Sequence, residues 1–131
     1  MKDINWKYVK PLENHNIITE FENQHNVLIP EDLKSIIKQF NNGRPSLNQF
    51  DIPSEKGKVF KKLLSFNTND TENVFDFLDI ETDITSLIAF ASDPSGNLIC
   101  LKDNKIFYWK HETDEIEKIA DTFSELLENL Y

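Results

Sequence analysis

The chain has 131 residues, with 14 Lys and Arg against 23 Asp and Glu, for a formal net charge of −9. That length suits one domain with a substantial core, and 39% hydrophobic residues, ten of them Phe, exclude a disordered tail. The acidic balance argues against nucleic acid as a direct ligand, and the single cysteine, Cys100, excludes an internal disulfide or a cysteine-built zinc site.

Residues 1–13 form a mixed lead-in with Trp6 and Tyr8. Met1–Trp6 lacks the apolar run of a secretion signal, and no stretch reaches the roughly 18 apolar residues of a membrane span. The expected location is the cytoplasm. Asn14 or Asn16 caps a helix over 16–25, with Ile17, Ile18 and Phe21 on one side. After Val27–Ile29, Pro30 suits the first position of a second helix. Glu31 and Asp32 follow, where carboxylates favour the positive helix end. Leu33, Ile36, Ile37 and Phe40 recur at helical spacing and give this helix one apolar stripe. Asn41-Asn42-Gly43 tolerates positive φ, and Pro45 prevents resumption.

Residues 46–58 read as loop, with a short strand near Phe50–Ile52. Val59–Phe66 reads as a strand weakened by Lys61 and Lys62. Thr71 is placed to cap a short third helix over Glu72–Leu78. Strands follow at Leu87–Ala91, Leu98–Leu101, Ile106–Trp109 and Ile116–Ala120, separated by the turn sequences Asp93–Asn97 and Lys102–Asn104. Thr122 and Glu125 form a capping box ahead of a closing helix striped by Phe123, Leu126, Leu127 and Leu130. The turns are too short for parallel crossovers. The expected architecture is therefore one α+β domain over 1–131: an antiparallel sheet meander packed against an N-terminal helix pair and a C-terminal helix.

Residues 1–65 carry ten basic and eight acidic side chains, net +2; residues 66–131 carry four basic and fifteen acidic, net −11. Two explanations fit: charge that keeps a small domain soluble, or an acidic face that docks a basic partner. Leu98–Leu101 and Ile106–Trp109 are apolar on both faces, unlike a sheet solvated on one side. Either the chain's own helices and loops cover both faces, or a partner covers one. Tyr108 and Trp109 are the candidate interface aromatics.

Catalytic chemistry is sparse. Three glycines cannot build a phosphate loop, and no G-x-S-x-G elbow occurs. Ser95 belongs to a turn, and Cys100 to an apolar strand where a thiol acts as a small core residue. His15, His25 and His111 lie outside metal-binding spacings. His111–Glu115 reads as a solvated hairpin, and Asp93–Asn97 lacks the ligand pattern of a calcium loop. Among 23 carboxylates, pairs such as Asp76/Asp79 or Asp114/Glu115 arise by chance. Binding without catalysis, metal or cofactor is the expectation.

Leu28–Lys34 running to Phe40–Pro45 resembles the N-terminal helix and turn of the SUKH (Smi/Knr-like) superfamily. Phe90–Leu101 is similar to that family's strand-turn-strand, Ile106–Glu112 to its next strand, and Phe123–Leu127 to its closing helix. The resemblance spans 14–131 in order. Asn42 stands where the family often has glycine, and Lys110 where it has an acidic residue. The resemblance implies an α+β fold and an immunity protein that neutralises a bacterial toxin, often a nuclease. Fungal cell-wall regulators and proteins accompanying viral or modification systems are also relatives, so the fold leaves the function open.

Toxin binding would use Asp76, Asp79, Glu81, Asp83, Glu112, Asp114 and Glu115 against the toxin's Lys and Arg, with Tyr108 and Trp109 as aromatic anchors. A regulatory scaffold of the Smi/Knr type is the alternative. A small hydrolase built on His111 and nearby carboxylates is a third reading. Asn and Ile at fourteen each and Lys at thirteen point to an AT-rich genome, with a bacterial source favoured.

Overall fold

The computed structural model describes residues 3–78 and 87–131. In chain order these form β1 (Trp6–Lys7), α1 (Ile17–His25), α2 (Glu31–Phe40), β2 (Arg44–Pro45), β3 (Gln49–Ile52), β4 (Glu55–Val59) and β5 (Lys62–Leu63). A 3-10 turn (Val74–Phe77) follows, then β6 (Ile88–Ser92), β7 (Leu98–Lys102), β8 (Lys105–Trp109), β9 (Ile116–Ala120) and α3 (Phe123–Asn129). The main sheet runs β5-β6-β7-β8-β9, with β1-β2 and β3-β4 as separate two-stranded sheets. Every pairing between these strands is antiparallel. The α+β meander expected from the sequence is the observed fold.

The N-terminal helices form for the reasons their sequences suggest, with one difference in detail, the place of Pro30. Asn14, not Asn16, supplies the side-chain oxygen at the start of α1, accepting from the Asn16 N–H at 3.0 Å. Pro30 precedes α2 as its N-cap residue, with extended backbone (φ −56°, ψ 145°). Buried Glu22 ties the two helices together: it accepts from the Ile29 N–H at 2.8 Å and meets Lys34 Nζ at 3.2 Å. Asp32 Oδ2 then accepts from the Ser124 N–H and hydroxyl at 2.9 Å, linking α2 to the first turn of α3.

The turn after α2 shows why glycine stands at position 43. A Cβ there would lie 2.6 Å from the Phe40 carbonyl oxygen and 3.1 Å from the Trp6 ring. Asn42 takes the left-handed conformation, φ +70°. Its side chain also does what a glycine cannot: Nδ2 donates to the Tyr8 carbonyl at 2.9 Å, and Oδ1 accepts from buried Lys62.

Three expectations need correction. Residues 46–58 are not loop around one short strand, because Gln49–Ile52 and Glu55–Val59 pair as a hairpin. The predicted strand Val59–Phe66 contracts to Lys62–Leu63, which pairs with Ser92 and Ala91. The third helix is only a 3-10 turn, capped by Asn73 and not Thr71: Asn73 Oδ1 accepts from the Asp76 N–H at 3.1 Å. Glu72 at φ +54° prevents helix from starting earlier.

The four predicted strands 88–120 and the closing helix form where expected. Thr122 Oγ1 accepts from the Glu125 N–H at 3.0 Å, the first half of the capping box. In β7, Leu98, Ile99, Cys100 and Leu101 are all buried, so the chain itself covers both faces of that strand. Opposite them in register are Trp109, Tyr108, Phe107 and Ile106. Directly opposed residues share a face, so Ile99, Leu101, Tyr108 and Ile106 form one side, where all are buried. On the other side Phe107 and Trp109 are half-buried. Phe50 of β3 packs edge-on to Tyr108 with ring centroids 5.9 Å apart, and Phe123 of α3 packs on Phe90 at 5.6 Å. Each fully buried side chain of this size adds roughly 1.5–3 kcal/mol of hydrophobic stabilisation. No helix among the described residues is long and apolar enough to cross a membrane.

Candidate functional site

The turn joining β8 to β9 carries Glu112, Asp114 and Glu115, all exposed. Its backbone is closed by Asp114 N–H donating to the Lys110 carbonyl at 2.8 Å and Lys110 N–H donating to the Glu115 carbonyl at 2.9 Å. Asp114 adopts φ +62°, a conformation Asp tolerates. Its Oδ1 accepts from the Trp109 indole N–H at 2.7 Å, which fixes the half-buried ring beside the carboxylates.

Charge is sorted along this edge. Lys110 Nζ pairs with Glu117 at 3.0 Å, and Glu117 also accepts from the Ser54 hydroxyl at 2.5 Å and the Ser54 N–H at 2.9 Å. The Ser54 hydrogen bonds and Lys110 hold the Glu117 carboxyl below its usual range, and Glu117 in turn raises Lys110. Lys58 pairs with Glu55 at 2.7 Å. The available lysines are thus spent on Glu55 and Glu117. Glu112, Asp114 and Glu115 make no direct salt bridge among the described residues, although Glu115 lies near enough to help raise Lys110. A pocket of about 240 Å³ lies between these groups, lined by Glu55, Lys58, Asn97, Lys110, His111 and Glu112 among others.

Beneath the turn runs a polar network that the sequence pattern did not disclose. Asp93, at 4% exposure, accepts from the Ser95 and Asn97 N–H groups at 2.8 and 2.9 Å through Oδ1. Its Oδ2 accepts from the Tyr108 hydroxyl, which also accepts from Asn97 Nδ2 at 2.8 Å. Asn97 Oδ1 accepts from the His111 N–H at 3.0 Å and lies 2.7 Å from His111 Nδ1. Gly96, at φ +90°, lets the ring approach: a Cβ there would sit 3.3 Å from His111 Cε1. The β6–β7 and β8–β9 turns are therefore fastened together into one rigid end.

This geometry removes Tyr108 as an anchor. It is fully buried, with its ring under Phe50 and its hydroxyl satisfied within the protein. Burial, reinforced by Asp93, raises its hydroxyl pKa well above the usual tyrosine range. Trp109 remains half-exposed beside Glu112, Asp114 and Glu115, so these four predicted residues share one edge. Asp76 is exposed on the 3-10 turn against β6, a different element. Asp79, Glu81 and Asp83 lie outside the described residues. Glu55 and Glu117 are the acidic groups that sequence reasoning missed; the hairpin of β3 and β4 brings Glu55 here, and Glu117 stands on β9 opposite Tyr108.

His111 is held by Asn97 and faces Gly96, not a catalytic partner. Among the described residues no three His, Cys, Asp or Glu side chains converge to hold a metal. Cys100 is fully buried, and burial raises its thiol far above the range in which a thiolate forms at neutral pH. The edge offers exposed carboxylates, a flanking indole and a fixed backbone, which is chemistry for docking a cationic surface.

No curated protein and no solved structure matches the chain. The sequence model of the SMI1-KNR4 cell-wall family, SUKH_6, matches residues 15–127, nearly the whole described fold, and the chain belongs to this SUKH family.

Proposed function

We propose that the chain is an immunity protein that binds a bacterial toxin stoichiometrically and blocks its access to substrate. The observation that carries this reading is the set of exposed carboxylates Glu112, Asp114 and Glu115, none in a salt bridge among the described residues, on a braced turn with Trp109 beside them. Membership of a family made up largely of immunity and regulatory binding proteins supports it. A nuclease toxin suits this surface, because the Lys and Arg that hold phosphate in such an enzyme would pair instead with these carboxylates. The complex needs no bond chemistry. Asp76, exposed on its own turn, and Asp79, Glu81 and Asp83 join the proposed surface on charge alone.

The test is co-expression in a bacterial host with candidate nuclease toxin domains taken from the gene neighbourhood of this chain. Growth should be restored by the wild-type chain and lost with Glu112→Lys/Glu115→Lys, while the variant stays folded and abundant. Toxicity undiminished by the wild-type chain, or rescue indifferent to both reversals, contradicts the proposal.

A further inference from the structure

A second surface, on a different sheet, has the opposite character. β1 and β2 place Lys7 directly across from Arg44, the chain's single arginine. Like charges in directly opposed positions repel. Both side chains are exposed, and neither has a carboxylate partner among the described residues, in a protein with nine negative charges in excess. Next in sequence, Tyr8 is 70% exposed and adopts φ +60°. A bulky aromatic residue in the left-handed region is strained, and such strain persists only where the surroundings impose it. Here the Tyr8 carbonyl accepts from buried Asn42, whose own oxygen is held by Lys62. The result is a ring held out of the protein with the Arg44 guanidinium 5.2 Å from its centroid. Neighbouring Lys10 and Lys61 are already paired, with Asp70 and Glu72.

We infer that Lys7, Tyr8 and Arg44 form a docking surface for an Asp- or Glu-bearing segment of a protein partner. A carboxylate seated between Lys7 and Arg44 relieves their repulsion, and a guanidinium already fixed on an aromatic face is ordered for a two-point hydrogen bond. Tyr8 supplies apolar area at the rim. A nucleic-acid strand fits less well: two free cations replace few of the counterions whose release drives phosphate-backbone binding, whereas a single carboxylate needs only these two. The surface is independent of the proposed toxin-binding edge and stands whether or not that edge binds a toxin.

The test is an amide NMR titration of the full chain with an acetylated hexaglutamate peptide and, separately, a single-stranded hexanucleotide. The peptide should shift Lys7, Tyr8 and Arg44 saturably at low salt, with affinity lowered roughly fivefold by Arg44→Gln. The nucleotide should leave those amides unmoved. Tyr8→Asn, which suits the left-handed backbone, should weaken peptide binding while raising Tm, the signature of strain kept for binding and not for folding. Absence of peptide shifts at these residues overturns the inference. So does an unchanged affinity in Arg44→Gln, preferential binding of the nucleotide, or a lower Tm in Tyr8→Asn.

Discussion

Replacing Tyr108 by Phe removes one oxygen from a fully buried ring and nothing else. Phe50 still packs on the ring, so the apolar contribution is retained. What is lost is the hydroxyl that donates to Asp93 Oδ2 and accepts from Asn97 Nδ2. Asp93 is 4% exposed, so its second oxygen is left in a poorly hydrated site. Hydrogen bonds to charged groups contribute roughly 1.5–3 kcal/mol, and loss of one partner exposes the desolvation cost of the other. For a domain of this length about 1 kcal/mol corresponds to roughly 3–4 °C, so Tm should fall by about 5–12 °C. Alkaline pH supplies a second readout. The folded protein keeps the Tyr108 proton at a pH where the unfolded chain, with an ordinary tyrosine pKa near 10, has lost it. This contribution is therefore complete below about pH 10 and disappears as pH climbs towards the raised folded value. Calorimetry and urea titrations of both proteins from pH 7 to 11 should show the wild type losing stability more steeply above pH 10. A Tm within 1 °C of wild type, or identical alkaline slopes, refutes the account of the network.

Asn42→Ala should destabilise the protein by roughly 2–4 kcal/mol in urea unfolding, because it leaves buried Lys62 only the Thr71 carbonyl as acceptor, frees the Tyr8 carbonyl and keeps a Cβ at φ +70°. Asn42→Gly should recover only the backbone part of that loss. Cys100 should resist aromatic disulfide reagents in the native state, with labelling that follows global unfolding; rapid labelling of the folded protein contradicts its placement. Glu117, held below the usual carboxylate range by Ser54 and Lys110, adds stability that is present above the unfolded glutamate pKa and lost as pH falls through its lower folded value. Glu117→Gln should therefore flatten the acid limb of a stability–pH profile, and an unchanged limb contradicts the assignment.

The meander from Leu87 onward was legible because local rules agree there: apolar runs of strand length alternate with strong turn residues. The second helix was legible for the same reason, its stripe and its terminating Asn-Asn-Gly pointing to one structure. The β3–β4 hairpin was hidden because Glu55–Val59 is polar and Pro53 interrupts the approach, so alternation never shows. Pairing of Trp6 with Pro45 is non-local and leaves no periodic trace. The third helix failed on a single residue, Glu72, whose left-handed backbone no propensity reveals. At the edge between β8 and β9, turn composition alone marked Glu112, Asp114 and Glu115 as exposed. Tyr108 and Trp109 are neighbours in an apolar strand, and only the hairpin overhead decides which is buried. The Asp93–Asn97 turn was recognised as a turn, while its bracing of His111 depends on a neighbouring hairpin and is invisible to local pattern.

On the proposed reading the protein acts through its braced, negatively charged edge between β8 and β9. That edge is tested most directly by stopped-flow association of the purified chain with the toxin domain that it is found to neutralise in co-expression, across a salt series. The account predicts a one-to-one complex whose association rate falls steeply with ionic strength, and falls about tenfold at low salt in Glu112→Lys/Glu115→Lys. A complex that forms at a rate insensitive to both salt and these reversals contradicts it.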